Sequence, residues 1–567
     1  MSDTARRLSR LFLALLILVS CLLAASTWRV FGHTWDEPEH LAAGLELLDR
    51  GKYEYDTEHP PIARVMLALG PFLTGSHSFG TPPPDGTQEG IDILYEGGKY
   101  DRTLTLARLG ALPFLALLLW AAWLWARRVN ASEGEALLAV LLLASVPPII
   151  GHGALAALDI PGTATTLLGL YLLQSWIVSG SRRDAILFGL AAGVAVGTKL
   201  SAVPYIGIAA LVLVIVRLSL RQVAWPASGW GRRLGGFGLA LLALVVPIVL
   251  AYGRRSIDLT ELPPRFAWVL PYVFRGDSAA HPTLYSIMTH LRLPEAFWDF
   301  AEGIVALKAH NDTGHLSFLL GHLKTGGWWY FYLVALAVKT PLPLLATGPL
   351  GMGLLARDGW RERNAWQLAP AVLFLSLLVF ASSFSRINIG IRHVLILYPF
   401  MALGGAYAAA RAWAFLRNLP NRALAWSGGT LLVALVGWQV ALLWRANPDY
   451  FPYFNELAPH PERVLVDSDL DWGQDLRRLE RRLAELQVPR VSLAYQGTAD
   501  LSREVLPPFV RLPPRQTATG WVAITALTRE HEPLGYAWLY EYQPLERVGK
   551  TIDLYFIPEP RAESPVH

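Results

Sequence analysis

Runs of roughly 20 mostly apolar residues, the length a helix needs to cross a bilayer core, recur along this chain. They lie near 11–31, 104–126, 135–152, 162–179, 185–198, 201–217, 236–253, 328–355, 366–384, 393–416 and 423–444. Eleven membrane-spanning helices are expected. Thr198-Lys199 divides one long apolar stretch into the fifth and sixth. Thr340-Pro341-Leu342-Pro343 should break the eighth, because proline has no backbone N–H and its ring clashes with the preceding turn. Long hydrophilic stretches remain at 32–103, at 254–327 and from 445 onward.

Arginine gives the stack a direction. Arg6, Arg7 and Arg10 precede the first run, and Arg127-Arg128, Arg182-Arg183, Arg217 with Arg221, Arg357 with Arg361, and Arg411 with Arg417 follow alternate later ones. With eleven spans all these clusters share one side, which the positive-inside rule makes cytoplasmic. Loop 32–103 carries thirteen acidic and five basic residues, as suits the opposite face. The N-terminus is therefore expected in the cytoplasm, with both long loops and the tail extracytoplasmic. Leu18-Val19-Ser20-Cys21 resembles a lipoprotein cleavage box, but its apolar run continues to about Phe31, long enough to span.

The tail has another rhythm. Short apolar stretches at Val464–Val466, Val491–Tyr495, Trp521–Ala526 and Thr551–Ile557 alternate with a helical pattern over Asp475–Leu486. The chain thus reads as a polytopic α-helical membrane domain over 1–444 and a small extracytoplasmic α/β domain over 445–567.

Composition agrees. Of 567 residues 53% are hydrophobic and 17% charged, against about 25% charged in soluble domains. Net charge is +4, too little to suggest nucleic acid as a partner. Cys21 is the only cysteine, which excludes intramolecular disulfides and cysteine-based metal sites.

Several polar residues stand where a membrane protein would place chemistry. Asp36 and Glu37 precede Pro38 at the start of an expected interfacial helix over 38–49, where free N–H groups favour an ionised carboxylate. Asp36 then reads either as a general base or as a helix cap. Glu58 and His59 stand before a second helix, Ile62–Leu73; Glu58 could hold a divalent metal with a histidine elsewhere or make a structural hydrogen bond. Asp159 falls in the turn before the fourth run, as a cavity residue or an N-cap. Lys199, Lys339, Arg392 and His393 gather cationic character on the face where the positive-inside rule would leave little, as an anionic ligand such as a lipid phosphate would explain. Asp467–Asp475 resembles a calcium loop, but its glycine is one place late and its twelfth position is Arg478. No Gly-rich phosphate loop, His-Glu-x-x-His or Gly-x-Ser-x-Gly occurs.

Taken in order, these motifs resemble the bacterial branch of glycosyltransferase family 39, within the GT-C superfamily of polytopic, lipid-phosphate-sugar-dependent enzymes. They are Trp35-Asp36-Glu37-Pro38-Glu39-His40, Glu58-His59-Pro60-Pro61-Ile62-Ala63-Arg64, Thr198-Lys199-Leu200-Ser201-Ala202, Gly326–Phe331, Lys339–Pro343, Ile387–His393, Tyr453–Leu457 and Asp471–Leu476. The resemblance implies an enzyme of the cell envelope's inner (plasma) membrane. It would transfer a sugar from a polyprenyl-phosphate donor to a hydroxyl of a lipid, glycan or protein acceptor. It further implies Asp36, in the family's acidic pair with Glu37, as the catalytic base, Asp159 as a further acidic site residue, and Glu58 as a metal ligand whose partner would be His310, His315 or His322. Because the leaving phosphate is already a good anion, the site needs cations rather than a protonating acid. Lys199, Arg392, His393 and Lys339 would supply them. A single displacement would invert the anomeric centre. A flippase or transporter of a lipid-linked or anionic substrate would share the spans and the cations.

Overall fold

The computed structural model describes residues 3–80, 85–129, 132–221, 230–253, 258–263, 266–274 and 282–559; the end of the tail beyond 559 lies outside them. Helix α1 (Asp3–Ser26) runs unbroken through Cys21. The first loop folds into α2 (Glu37–Leu45), α3 (Pro61–Leu73) and α4 (Gly86–Tyr95). Then come α5 (Tyr100–Leu109), α6 (Leu112–Val129), α7 (Glu133–Ala144), α8 (Pro147–Gly153), α9 (Asp159–Ser179), α10 (Arg182–Val196), α11 (Ala202–Ser219) and α12 (Trp230–Ala251). The second loop holds the two-residue strands β1 (Leu259–Thr260) and β2 (Leu293–Pro294), then α13 (Val269–Val273), α14 (Pro282–His290) and α15 (Glu295–Thr313). It closes with the hairpin β3 (Leu316–Leu319) and β4 (His322–Thr325). Helices α16 (Phe331–Lys339), α17 (Leu342–Arg361), α18 (Ala365–Phe384), α19 (Leu397–Arg417) and α20 (Arg422–Ala446) complete the bundle.

All eleven expected runs are helical. Among the described residues, six helical stretches are long and apolar enough to cross a membrane, one of them α5 and α6 together, and α7 with α8, bent by 67°, would make a seventh span. The others are shorter, broken or richer in small and polar residues, and α9 and α19 bury much of their length within the bundle. Helices α17 and α19, for example, meet through Gly348 and Gly351 against Gly404, as expected where small residues let helix backbones approach. This is a polytopic helical membrane protein.

The break in the eighth run falls at Thr340-Pro341. A helix that stops there leaves carbonyls without intrahelical partners. Asn455, from the tail, satisfies them: its side-chain amide donates to Ala337 O (2.6 Å) and Thr340 O (2.7 Å), and its backbone N–H to Val338 O (2.8 Å).

Past α21 (Asp467–Leu470) and α22 (Leu476–Glu485), the tail forms a five-stranded sheet of β5 (Val491–Ala494), β6 (Phe509–Arg511), β7 (Gly520–Thr525), β8 (Glu546–Val548) and β9 (Ile552–Ile557), with α23 (Ala526–His531) after β7. The strand order is β6-β5-β7-β9-β8, parallel at β6-β5-β7 and antiparallel at β7-β9-β8. Period-two alternation feeds two cores. Ala523 and Leu554 pack under α22 with Leu479 and Leu483, while Val522, Ile524 and Tyr555 pack on the other face. The α/β expectation holds, with one local correction. Val464–Val466 is not a strand but a connector between a 3-10 turn at Pro461–Arg463 and α21. Its Val466 is drawn onto Phe318, Leu470 and Leu527 instead of a sheet neighbour.

Candidate active site

A cavity of about 970 Å³ lies where the first loop, the α10–α11 turn, α15, the end of α18, the turn before α19 and the tail converge. Its lining is mixed: Asp36, Glu39, Asp56, Glu58, Lys199 and Arg392 bring polar groups to it, and Leu200, Val203, Ile304, Leu307, Phe380 and Phe384 bring apolar ones.

Helix α2 brings Asp36 to the cavity lining. It is packed so tightly on α3 that a Cβ at Gly44 would sit 2.2 Å from Arg64 O. Asp36 occupies the N-cap position of α2, but its side chain makes no capping hydrogen bond. Instead Oδ2 accepts from Arg392 Nη1 at 2.6 Å, with Asp36's side chain 24% exposed and Arg392's 12%. Arg392 stands on the 3-10 turn Ile391–Val394, whose entry at Gly390 (φ +155°) passes so close to Ser468 that a Cβ there would meet its Oγ at 2.4 Å. Asp469 holds the turn by accepting from Ile391 N (3.0 Å). The guanidinium lies 4.4 Å above the Trp472 ring, which is itself stacked on Phe451. Arg392 Nε is buried and has no partner among the described residues, and the same holds for His393 Nε2 on the cavity wall.

Other candidates are placed differently. Glu37 turns away from the cavity. It forms a bidentate pair with Arg108, 2.8 Å at each oxygen, and accepts from Thr34 N and Ala156 N (2.8 Å each), at 1% exposure. Burial pushes its carboxyl up, but Arg108 and these donors hold it below the usual carboxylate range. Every acceptor position is engaged, so the expected pairing of Glu37 with Asp36 as joint reactive acids is corrected. Asp159 opens α9 one layer behind the wall. Its Oδ1 accepts from Lys199 Nζ (2.7 Å), and its Oδ2 faces His152 at 3.7 Å; of the pair, only Lys199 borders the cavity. Lys339 is fully buried and off the wall. It donates to Phe451 O (3.0 Å) and Asp469 O (2.6 Å), and so ties the tail to the broken helix rather than facing a ligand.

Glu58 does meet a histidine, but it is His310 of α15, at 3.0 Å, not His322. His322 opens β4 on the hairpin, exposed and away from the cavity. The hydrogen bond to Glu58 raises His310 above the ordinary imidazole value. No group of three or more His, Cys, Asp or Glu is gathered to hold an ion among the described residues.

Three features escaped sequence reasoning. Arg64 pairs with Asp56, donates to Tyr53 Oη (3.0 Å) and meets His40 Nδ1 (3.3 Å), which fixes His40 as a neutral acceptor. Burial, reinforced by Asp56, pushes the Glu39 carboxyl up to about 7, and burial pushes Asp471, also on the wall, up to about 7. Trp472 forms the floor under Arg392. The signal for Arg64 and Trp472 was present as motif residues, but their partners lie too far off in sequence to be read.

Residues 50–262 match the model of a family described as dolichyl-phosphate-mannose-protein mannosyltransferase. No curated protein sequence matches this chain. Among solved structures it is similar to the oligosaccharyltransferase AglB from Archaeoglobus fulgidus (13% identity, TM-score 0.46, 78% of this chain and 56% of that one). It is also similar to ArnT from Cupriavidus metallidurans, solved bound to undecaprenyl phosphate (15%, 0.44, 95% and 97%). A third is the Pmt1-Pmt2 protein O-mannosyltransferase complex of S. cerevisiae, bound to its sugar donor (17%, 0.33, 43% and 32%). The chain thus spans little more than half the length of AglB.

Proposed function

We propose that this protein transfers a sugar from a polyprenyl-phosphate donor to an acceptor hydroxyl, on the extracytoplasmic face of a bacterial plasma membrane. The observation that carries this reading is the Asp36–Arg392 pair, set in a cavity whose lining also includes apolar side chains. Those side chains suit a prenyl chain, and the cations in the same lining suit the phosphate joining chain to sugar. Arg392 keeps an unpartnered Nε beside the Nη1 it gives to Asp36, so its guanidinium has capacity for a second anion. Lys199, steered by Asp159, would provide the other charge.

The acceptor oxygen attacks the anomeric carbon, the bond from that carbon to the phosphate oxygen breaks, and the electron pair leaves with polyprenyl phosphate. Arg392 and Lys199 stabilise the charge that collects there. The hydroxyl proton passes to Asp36. An incoming phosphate competes for Arg392 and loosens its hold on Asp36, so donor binding itself readies the base. One displacement inverts the anomeric centre. The acceptor is a hydroxyl of lipid, glycan or protein, and the N-terminus is cytoplasmic in this reading. The PMT-family match gives the transporter reading no support.

Purified protein incubated with a panel of polyprenyl-phosphate sugars should release polyprenyl phosphate, read by mass spectrometry, with a matching mass gain on one acceptor class. The Arg392→Gln variant should raise the apparent KM for the donor more than for the acceptor. No release from any donor, or an unchanged donor KM in the variant, would overturn the assignment.

A further inference from the structure

Helix α22 carries four arginines, and their partners divide them. Arg478 pairs with Asp449 and Asp475, and Arg482 with Glu485 and Glu546, so both are neutralised within the tail. Arg477 and Arg481, one turn apart, point the other way, into a pocket of about 850 Å³ that they share with Arg29 and Arg102. Asp101 is the pocket's one acid; it is held by Arg477, whose guanidinium also lies 4.7 Å above the Tyr100 ring. Arg481 donates to Arg29 O (2.7 Å). The side chains of Arg29 and Arg102 have no acidic partner among the described residues.

The pocket sits where the end of α1, the end of α3 and the start of α5 meet, with Ala25, Trp28 and Leu106 among its lining. Beside it the same helices expose Leu22 (60%), Leu73 (73%) and Leu109 (49%). A cluster of arginines with a net charge of three, opening directly onto exposed apolar helix faces, matches an amphiphile with an anionic head. Guanidinium forks suit phosphate geometry, and a tryptophan at that level suits a membrane interface.

We propose that this pocket binds the head-group phosphate of an anionic phospholipid, whose acyl chains lie along α1, α3 and α5. None of its residues borders the cavity that holds Asp36, and the site needs nothing of the transfer chemistry. The full chain, purified in a neutral detergent, can be mixed with phosphatidylglycerol, phosphatidylcholine or inorganic phosphate and its adducts counted by native mass spectrometry. Phosphatidylglycerol should be retained over phosphatidylcholine, and an Arg29→Gln/Arg102→Gln double variant should lose that preference by on the order of tenfold. Inorganic phosphate at equal concentration should leave the lipid bound. Both side chains are exposed, and if the double variant fails to fold, Arg102→Gln alone should still weaken the preference several-fold. Equal retention of the two lipids, an unchanged preference in the variants, or displacement by inorganic phosphate would each overturn the proposal.

Discussion

Asp36 and Glu37 are neighbours in sequence, and each is paired with an arginine, yet the two pairs occupy opposite regimes. Glu37 meets Arg108 with both oxygens, receives two further N–H donors and is sealed from solvent. Asp36 meets Arg392 through a single 2.6 Å contact at the wall of a cavity, and that arginine keeps a free donor. A saturated buried pair holds structure together, since removing either partner strands a charge in the interior. An unsaturated pair at a cavity wall can exchange partners, which a reaction needs. If Asp36 is the proposed base, a single step along the chain divides an anchoring carboxylate from a reactive one.

The contrast can be broken most directly at Asp36. Asp36→Asn should lower transfer by about a thousandfold, within the range a positioned general base supplies, with the thermal midpoint unchanged; substantial turnover in purified protein would remove Asp36 from the chemistry. Arg108→Met should act in the opposite sense. It strands Glu37 and should destabilise the fold by about 3–5 kcal/mol, seen as a large drop in the unfolding midpoint. A stable Arg108→Met protein would show that the pair is not the anchor its geometry suggests. Smaller is the effect expected at Trp472, whose ring lies beneath the Arg392 guanidinium. Trp472→Leu should raise the donor KM by roughly tenfold, on the scale of a desolvated cation–π contact, and Trp472→Phe should restore part of it.

The smallest effect sharpens the same boundary by pH. Glu39, on the wall, has its carboxyl raised to about 7 by burial, so the folded state binds a proton more tightly than the unfolded one. Its contribution to stability is full below the ordinary carboxylate value and is lost as pH climbs toward 7. Glu39→Gln should therefore raise the unfolding midpoint at pH 8 relative to the unsubstituted protein and change it little at pH 4. Equal shifts at both pH values would argue against a protonated Glu39.

The sequence reveals what the bilayer itself imposes. Eleven apolar runs, a break at Thr340-Pro341 and two proline-led helices in the first loop could be read directly, because length, proline chemistry and hydropathy act locally. Which of two adjacent acids faces a cavity could not. That depends on Arg108, seventy-one positions away from Glu37. The histidine beside Glu58 was open for the same reason: His310, His315 and His322 share a loop, and only the packing of α15 against the first loop selects His310. Lys339 misled because a lysine in an apolar helix suggests a ligand, whereas here backbone carbonyls of the tail meet its ammonium group.

Those carbonyls, with the Asn455 amide that caps the interrupted helix, make the sheet domain hard to exchange. A chimera spliced at residue 445 would import foreign residues opposite Lys339 and Thr340 and would carry off the tryptophan beneath Arg392. Swapping tails would therefore disturb the setting of Arg392 as well, unless the segment around Lys339–Pro343 travelled with the tail as one module.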